Sequence, residues 1–161
     1  MNKKSNNINE DLLGYQTSRL RDLISEILQC CEDRRFYESQ KFGLPYAELR
    51  CLMLFRGERY LTVKGIAERM DVAKSRVTKI LKGLIGKGLV EQIDDPKDAR
   101  IKLIMLTPAG HGKSREIEAF QRGLHRKILL NMHLDERKSM LSYLELLRSA
   151  MEAVKEEFVE G

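Results

Sequence analysis

Residues 73–88, AKSRVTKILKGLIGKG, combine a helical apolar period with a basic face, and this combination strongly constrains the fold. Five of the sixteen residues are Lys or Arg, and none is Asp or Glu. The apolar stripe consists of Val77, Ile80, Leu81, Leu84 and Ile85. A shorter amphipathic segment precedes it, from a predicted N-cap at Thr62 to Met70, followed by a tight break at Asp71 and Val72. A helix, a turn of three or four residues and a second helix form a helix-turn-helix.

The segment before this unit is predicted to be helical. After a polar start at residues 1–9, which we expect to be frayed, a helix runs from about Asp11 to just before Gly43. A second, shorter helix covers about 46–55, with Leu49, Leu52 and Met53 on its apolar face.

A β-hairpin is predicted directly after the basic helix. Residues 89–93, LVEQI, and 101–106, IKLIML, are short apolar strands, and the charged, turn-forming stretch at 94–100, DDPKDAR, joins them. A long helix then extends from Pro108 to about Asn131, and Asp135 is expected to cap the last helix. The hairpin therefore stands as a wing beside the helix-turn-helix.

Heptad-like seams occupy the first and the last helix. The first consists of Leu13, Leu20, Ile24, Ile27 and Cys31, and the last of Leu144, Leu147, Met151, Val154 and Phe158. Such a seam requires a partner helix. The two helices could pair within one chain, but their length favours a homodimer in which they interlock with a second copy.

These patterns together predict the fold class: mainly α with a small β-hairpin wing, a winged helix-turn-helix flanked by long N- and C-terminal dimerisation helices. The predicted domains are an N-terminal dimerisation helix at 1–43, a winged helix-turn-helix domain at 44–112 and C-terminal dimerisation helices at 113–161.

Charge is sorted along the chain. The net charge is +5 and the pI about 9.1, but residues 72–90 contain no acidic residue, whereas the last ten residues contain four Glu. No apolar run approaches the roughly 20 residues that cross a bilayer, and the start lacks the apolar segment of a signal peptide. We therefore expect a cytoplasmic protein that does not associate with membranes.

Signatures of catalysis are missing from the sequence. It contains no phosphate loop, dinucleotide fingerprint or Gly-x-Ser-x-Gly motif. Its histidines, His111, His125 and His133, have no carboxylates at metal-ligand spacing. Three cysteines, two of them adjacent, indicate neither a disulfide framework nor a zinc site. We expect no enzyme activity, no cofactor and no metal.

The basic helix has the features of a reader of double-stranded DNA, because an α-helix fits the major groove and Lys and Arg neutralise phosphates. Ser75, Arg76 and Lys79 point away from the apolar stripe and are the predicted base-reading residues. Lys74, Thr78 and Lys82 are predicted to contact phosphate. At the hairpin tip Arg100 could enter the minor groove, braced by Asp98. For each residue the alternative is an ordinary solvated charge or exposed ion pair.

The sequence at 61–110 resembles the winged helix-turn-helix core of the MarR family of bacterial transcription regulators. The resemblance rests on four motifs in the right order: LT-x-x-x-IA at 61–67, KGLVE at 87–91, D-P-x-D-x-R at 95–100 and LTPAG at 106–110. It implies a homodimer that binds a pseudo-palindromic operator, with half-sites about 10 bp apart. Most members of the family repress transcription, and many release DNA when a small ligand fills a cleft beside the dimerisation helices.

Three positions depart from the family pattern. Ala73 stands where a Ser often caps the recognition helix, so one hydrogen bond at the helix end is expected to be missing. Gln92 and Ala99 replace frequent arginines in the wing, which is therefore less cationic than usual. The recognition helix is expected to carry more of the contact with DNA.

The family's ligand cleft also suggests residues for an effector pocket. By this analogy the walls would be Phe36, Tyr37, Tyr46, Arg50 and His111, although a structural role is the more common one for each. Aromatic walls and an arginine suggest a small aromatic or phenolic effector.

Two other hypotheses about the function remain open. One branch of the family senses hydroperoxides through a cysteine near the start of the first helix, but Cys30 and Cys31 lie near its end, where the helix dipole disfavours a thiolate. Cys51 is expected to be a core residue. Alternatively, the winged helix could bind a protein through its basic face, and the acidic C-terminal residues could mask that face.

Overall fold

The computed structural model describes residues 3–98 and 100–160. Within these residues the helices are α1 (Lys3–Phe42), α2 (Tyr46–Met53), α3 (Val63–Met70), α4 (Lys74–Gly86), α5 (Pro108–Leu130) and α6 (Leu134–Glu160). The strands are β1 (Leu61–Thr62), β2 (Val90–Asp94) and β3 (Lys102–Leu106). This mainly helical chain with a small sheet confirms the predicted fold class. It divides into two compact units, of which the first ends at Ser114 and the second begins at Arg115.

The core of the first unit is built around α2, which packs against α1, α3 and α4. Its largest fully buried apolar side chains are Leu49, Leu52, Ile66, Leu84 and Ile104. They come from α2, α3, α4 and β3, so each element contributes one apolar face to a shared core. None of the described helices combines the length and the apolarity that crossing a lipid bilayer requires.

The turn between α3 and α4 is short because its residues satisfy the helix ends locally. Thr62 caps α3 as predicted, its Oγ1 accepting the Gly65 N–H at 3.0 Å. Asp71 ends α3 in the left-handed conformation, with φ at 54°, and the Val72 N–H donates to the Ala67 carbonyl at 3.1 Å. Ala73 caps α4 without a side-chain hydrogen bond, as its methyl group dictates.

The sheet has the strand order β1-β3-β2 and is antiparallel throughout. Val90 faces Leu106 and Asp94 faces Lys102, so β2 and β3 form the predicted hairpin. Strand β1, in which Leu61 pairs with Ile104, was not predicted. Two residues are too few to show the alternation that identifies a strand.

The LTPAG motif fixes the start of α5 to the end of α4. The Thr107 Oγ1 accepts the Gly110 N–H at 3.0 Å and donates to the Gly88 carbonyl at 2.6 Å. The Thr107 N–H donates to the Leu89 carbonyl at 3.1 Å. A Cβ at Gly110 would lie 1.9 Å from that same Leu89 oxygen, so only glycine permits this approach.

The two terminal helices differ from prediction in where they begin. A helix was expected from about Asp11, but α1 already begins at Lys3. Asp135 was expected to cap α6, yet it lies in the first turn of the helix. There the Glu136 carboxylate accepts the His133 N–H at 2.6 Å, which satisfies one of the free donors at the helix start.

Large apolar side chains are exposed on both terminal helices. On α1 these include Leu12, Leu13, Tyr15, Leu20, Leu23, Ile27 and Leu28. On α6 they include Leu141, Tyr143, Leu144, Leu146, Met151, Val154 and Phe158. Runs of this length are unusual on the surface of a monomeric soluble protein.

Candidate nucleic-acid interface

Helix α4 separates its basic and apolar residues on opposite faces. Val77, Ile80, Leu81 and Leu84 are buried against the rest of the first unit. The six residues predicted to meet DNA are all exposed: Lys74, Ser75, Arg76, Thr78, Lys79 and Lys82. Ile85, placed in the buried stripe by its spacing, is instead 43% exposed, because it lies in the last turn at the edge of the apolar face.

Thr78 is less available to phosphate than its exposure suggests. Its hydroxyl donates to the Lys74 carbonyl at 3.0 Å, a bond that a helical threonine commonly makes with the preceding turn. A hydroxyl has a single hydrogen. Thr78 would therefore have to give up this internal bond before it could donate to a phosphate oxygen.

The hairpin tip is held by two of its three aspartates. The Asp95 carboxylate accepts the Lys97 N–H at 2.8 Å, and the Asp98 carboxylate accepts the Arg100 N–H at 3.0 Å. The Ile101 N–H donates to the Asp98 carbonyl at 2.9 Å and closes the turn. These bonds give a physical reason for aspartate at both positions of the D-P-x-D-x-R motif.

Arg100 projects from the tip into solvent. Its side chain is 94% exposed, and its Nε lies 3.4 Å from Asp98 Oδ1. An exposed ion pair of this kind adds little stability, so its main effect is to restrict where the guanidinium points. Ala99, the neighbouring departure from the family pattern, lies outside the described residues.

The base of the wing carries no excess of positive charge, since β2 also holds the exposed Glu91. Lys102 pairs with Asp94 across the β2–β3 ladder, where the two residues face each other. Gln92 is exposed on β2 and contributes no charge. The cationic character of this surface therefore comes from α4, because the tip at 94–100 carries three Asp against one Lys and one Arg.

Glu48 is a polar residue next to α4 that was not predicted to belong to the site. It lies on α2, is only 7% exposed, and accepts bonds from Lys87 Nζ at 3.1 Å to Oε1 and 2.9 Å to Oε2. Lys87 directly follows α4. A signal was present, because Glu48 and Leu52 are four residues apart and so share the buried face of a helix.

Of the five residues predicted to form an effector pocket, Tyr46 and Arg50 contact residues outside the predicted set. Arg35 lies over the Tyr46 ring, 5.2 Å from its centroid. A hydrogen bond to Tyr46 and the nearby charge of Glu32 raise the pKa of Arg35 above its ordinary value. Arg50 donates to the Met70 carbonyl at 3.5 Å, which directs it toward the end of α3.

The other three predicted pocket residues are open to solvent. Phe36 is 66% and Tyr37 54% exposed, and His111 is also exposed. A surface cavity of about 500 Å³ does exist in this unit, but it is lined by helix-turn-helix residues: Lys64, Ala67, Glu68, Asp71, Val72, Ala73 and Lys74. None of the five predicted pocket residues contributes to it.

The three cysteines have different environments. Cys30 is exposed, Cys31 is half-buried, and Cys51 is buried in the core as expected. Burial, together with the charge of Glu48, raises the pKa of the Cys51 thiol to about 12. Among the side chains that the structure describes, at 9–98 and 100–158, no three His, Cys, Asp or Glu are grouped so that they could hold a metal ion.

Comparison with known sequences gives one family. Residues 42–101 match the sequence model of the MarR family. The chain is 25% identical over 153 residues to YfiV, an uncharacterized HTH-type transcriptional regulator of Bacillus subtilis, across 93% of this chain and 94% of YfiV. It is 29% identical over 127 residues to MdtR, an HTH-type transcriptional repressor of the same bacterium, across 79% and 76% of the two chains.

A third relative, the uncharacterized HTH-type regulator YdgJ of B. subtilis, is 24% identical over 107 residues. That match spans 66% of this chain and 65% of YdgJ. All three relatives carry the description of a transcription regulator, and none that of an enzyme.

Solved structures share the fold. A mutant of MepR from S. aureus superimposes with a TM-score of 0.73 at 19% identity, covering 80% of this chain and 96% of MepR. FabT of Streptococcus pneumoniae in complex with DNA gives a TM-score of 0.72 at 20% identity, covering 85% and 98%. The four motifs, the matched segment at 42–101 and the shared fold identify the central part of this chain as a winged helix-turn-helix of the MarR family of DNA-binding transcription regulators.

Proposed function

We propose that this chain is a sequence-specific DNA-binding regulator that acts as a homodimer on a pseudo-palindromic operator, most simply as a ligand-responsive repressor. The observation that carries the proposal is the exposed, acid-free basic row of α4, held to the protein by a fully apolar face. Double-stranded DNA is a polyanion whose major groove is wide enough for a helix, so it can bind such a row of basic side chains.

In this proposal different residues contact base edges, phosphates and the minor groove of the DNA. Ser75, Arg76 and Lys79 read base edges in the major groove, where Arg can bond guanine through both O6 and N7. Lys74 and Lys82 bind phosphate, and Thr78 does so only after releasing its bond to the Lys74 carbonyl. Arg100, braced by Asp98, enters the minor groove. FabT, solved in complex with DNA, and MepR, solved with an oligodeoxyribonucleotide, support this mode of binding by analogy.

The homodimer is supported by the exposed seams of the terminal helices. Leu13, Leu20 and Ile27 on α1 are each at least 45% exposed, and Met151 and Phe158 on α6 are more than half exposed. A second copy would bury these residues, and its symmetry would match that of a two-fold operator. The proposed terminal domains, 1–43 and 113–161, would then serve dimerisation, and 44–112 would bind DNA.

Repression and effector release are the finer part of the proposal. The likeness to MdtR, described as a repressor, favours repression. The Arg35–Tyr46 pair joins α1 to α2. A small aromatic carboxylate or phenol could compete with Tyr46 for the Arg35 guanidinium.

The test is selection of binding sites from random duplex DNA by the purified full-length protein. We expect a two-fold symmetric consensus, with half-sites about 10 bp apart. Recovery of no enriched sequence, with only salt-sensitive background binding, would overturn sequence-specific regulation and favour the protein-interaction reading. The selected site, placed before a reporter gene, then distinguishes repression from activation.

The effector is tested on the complex with the selected site. Benzoate and simple phenols are titrated while DNA binding is followed by fluorescence anisotropy, with cyclohexanecarboxylate as the non-aromatic control. We expect an aromatic compound to release DNA and the control to have no effect. If neither class changes the affinity, the proposed aromatic effector is wrong.

A further inference from the structure

Glu48 lies where α2 meets the recognition helix α4. It is 7% exposed, although it is a carboxylate on a helix that otherwise buries Leu49, Cys51 and Leu52. The charge is matched by Lys87, whose Nζ lies within hydrogen-bond distance of both carboxylate oxygens. Moving a carboxylate out of water is unfavourable, and a buried ion pair recovers that free energy only when its geometry is good.

Such an ion pair contributes more to the orientation of α4 than to the stability of the fold. The apolar contacts of Val77, Ile80 and Leu81 hold α4 to the core, but the hydrophobic effect itself is non-directional. The two-oxygen bond to Lys87 adds a directional contact at the C-terminal end of α4, because hydrogen bonds weaken steeply when distance and angle change.

The same carboxylate also lies close against the α4 backbone at Gly83, four residues before Lys87 and on the same face of the helix. A Cβ at Gly83 would lie 2.1 Å from Glu48 Oε1 and 3.1 Å from its Cδ. The carboxylate therefore occupies the space that any other side chain on α4 would need. Gly86, one turn later on the same helix, has no atom within 4 Å of its own Cβ position.

We propose that Glu48 is a positioning residue for base recognition, because its carboxylate, held between Lys87 and the backbone at Gly83, sets the angle of α4 on the protein. Ser75 lies about 12 Å along the helix axis from Gly83. A tilt of about 10° at Gly83 would therefore move Ser75 by about 2 Å, far more than a hydrogen bond to a base edge tolerates. This inference rests on the proposed function, since it concerns how well DNA sequence is read.

The experiment compares Glu48→Ala, Glu48→Gln, Gly83→Ala, the double variant Glu48→Ala/Gly83→Ala and the control Gly86→Ala. For each full-length variant, anisotropy gives the dissociation constants for the selected site and for a scrambled duplex of equal length. Circular dichroism first identifies a temperature at which every variant compared is folded. Loss of stability alone reduces the folded fraction and changes both constants alike, whereas mispositioning changes their ratio.

We expect the specificity ratio to fall about tenfold or more in Glu48→Ala and in Gly83→Ala. Glu48→Gln should retain part of it, because an amide oxygen still accepts from Lys87. In the Glu48→Ala background Gly83→Ala should cause no further loss, since the group that its Cβ would displace is gone. Gly86→Ala should keep the ratio within about twofold, because its methyl group points into open space.

Two results separate the possible failures. If the wild-type protein itself has a ratio near one, the proposed function fails and this inference fails with it. If the wild type discriminates but Glu48→Ala and Gly83→Ala discriminate equally well, Glu48 does not position the helix, and only this inference is overturned.

Discussion

At the scale of single residues, exposure does not separate the side chains that read bases from those that bind phosphate. All six predicted DNA-contacting residues of α4 are open to solvent. Their chemistry does separate them, because Arg presents a planar pair of donors that matches guanine, whereas Lys presents a single compact charge. Thr78 also differs from the rest, since its hydroxyl is already bonded within the helix.

Arg76→Ala is expected to relax base preference. Losing a bidentate contact to guanine weakens binding to the selected site by about 1–3 kcal/mol and leaves the scrambled duplex less affected. Lys82→Ala serves as the matched control on the same helix. It should weaken binding to both duplexes alike. It should also reduce the slope of log K against log salt by about the contribution of one phosphate contact. Equal losses on both duplexes for Arg76→Ala would remove it from the base-reading set.

Cys51 should make the protein less stable at alkaline pH. Its pKa is raised from 9.0 to about 12 in the folded state by burial and by Glu48. Above pH 9 the unfolded chain therefore loses this proton while the folded chain keeps it, and stability falls by up to about 1.4 kcal/mol per pH unit until about pH 12. Below pH 9 the thiol is protonated in both states and contributes no slope.

The measurement is the urea midpoint between pH 8 and 10.5, at one protein concentration, for the wild type and Cys51→Ala. Lysines and tyrosines titrate in both proteins, so the difference between the two curves isolates the thiol. We expect the wild-type curve to fall more steeply above pH 9. Parallel curves would mean that the buried thiol ionises as readily in the folded protein as in the unfolded chain.

At the scale of elements, the LTPAG motif sets how closely the start of α5 packs against the residues that follow α4. Thr107 bonds both the start of α5 and the end of α4, and Gly110 lets α5 approach the Leu89 carbonyl. Gly110→Ala should lower the free energy of unfolding by about 1–3 kcal/mol, because backbone atoms cannot yield as side chains do.

Gly112→Ala is the matched control for that prediction. It lies on the same helix, with no atom within 4 Å of its Cβ position, so helix propensity alone should stabilise it, by up to about 1 kcal/mol. Urea unfolding at a fixed protein concentration measures both variants. A gain in stability for both would show that the Leu89 carbonyl can move aside.

Sequence patterns located most elements, but not their edges. Apolar periodicity identified α4 and the wing strands, whereas the polar residues that open α1 carry no such signal, so its start at Lys3 was missed. Strand β1 is too short for a period, and it exists only because β3 offers it a partner. Ile85 follows the spacing of the stripe, yet the stripe's edge depends on how far the packed neighbours extend.

The candidate site was only partly readable for a similar reason. The exposed row of α4 and the Asp98–Arg100 pair follow from local sequence, because neighbours along the chain form them. The contact of Glu48 with Lys87 joins residues 39 positions apart, and no local pattern specifies it. Likewise, the bond from Arg50 to the Met70 carbonyl depends on the packing of α2 against α3.

At the scale of the whole molecule, the exposed apolar side chains form rows at heptad spacing. On α1, Leu20 and Ile27 are 45% and 55% exposed, and on α6 Val154 and Phe158 are 49% and 81% exposed. Solvated surfaces rarely concentrate leucine, isoleucine and phenylalanine in this way, whereas coiled-coil interfaces do so as a rule. The rows therefore support a second copy of the chain as the partner.

Leu20→Glu and Ile27→Glu should each convert the proposed dimer to monomers. Each change removes a large apolar contact and would bury an unpaired carboxylate in the interface, so the dissociation constant of the dimer should rise about 100-fold or more. Ser18→Glu is the control, because Ser18 is exposed and lies two positions from Leu20, on the opposite side of the helix. Sedimentation equilibrium over a range of protein concentrations measures the three constants.

Because an operator with two half-sites is bound tightly only by linked copies, the two seam variants should also lose affinity for the full site, yet keep the same affinity for a single half-site. Dimers that withstand both seam substitutions would place the interface elsewhere on the molecule.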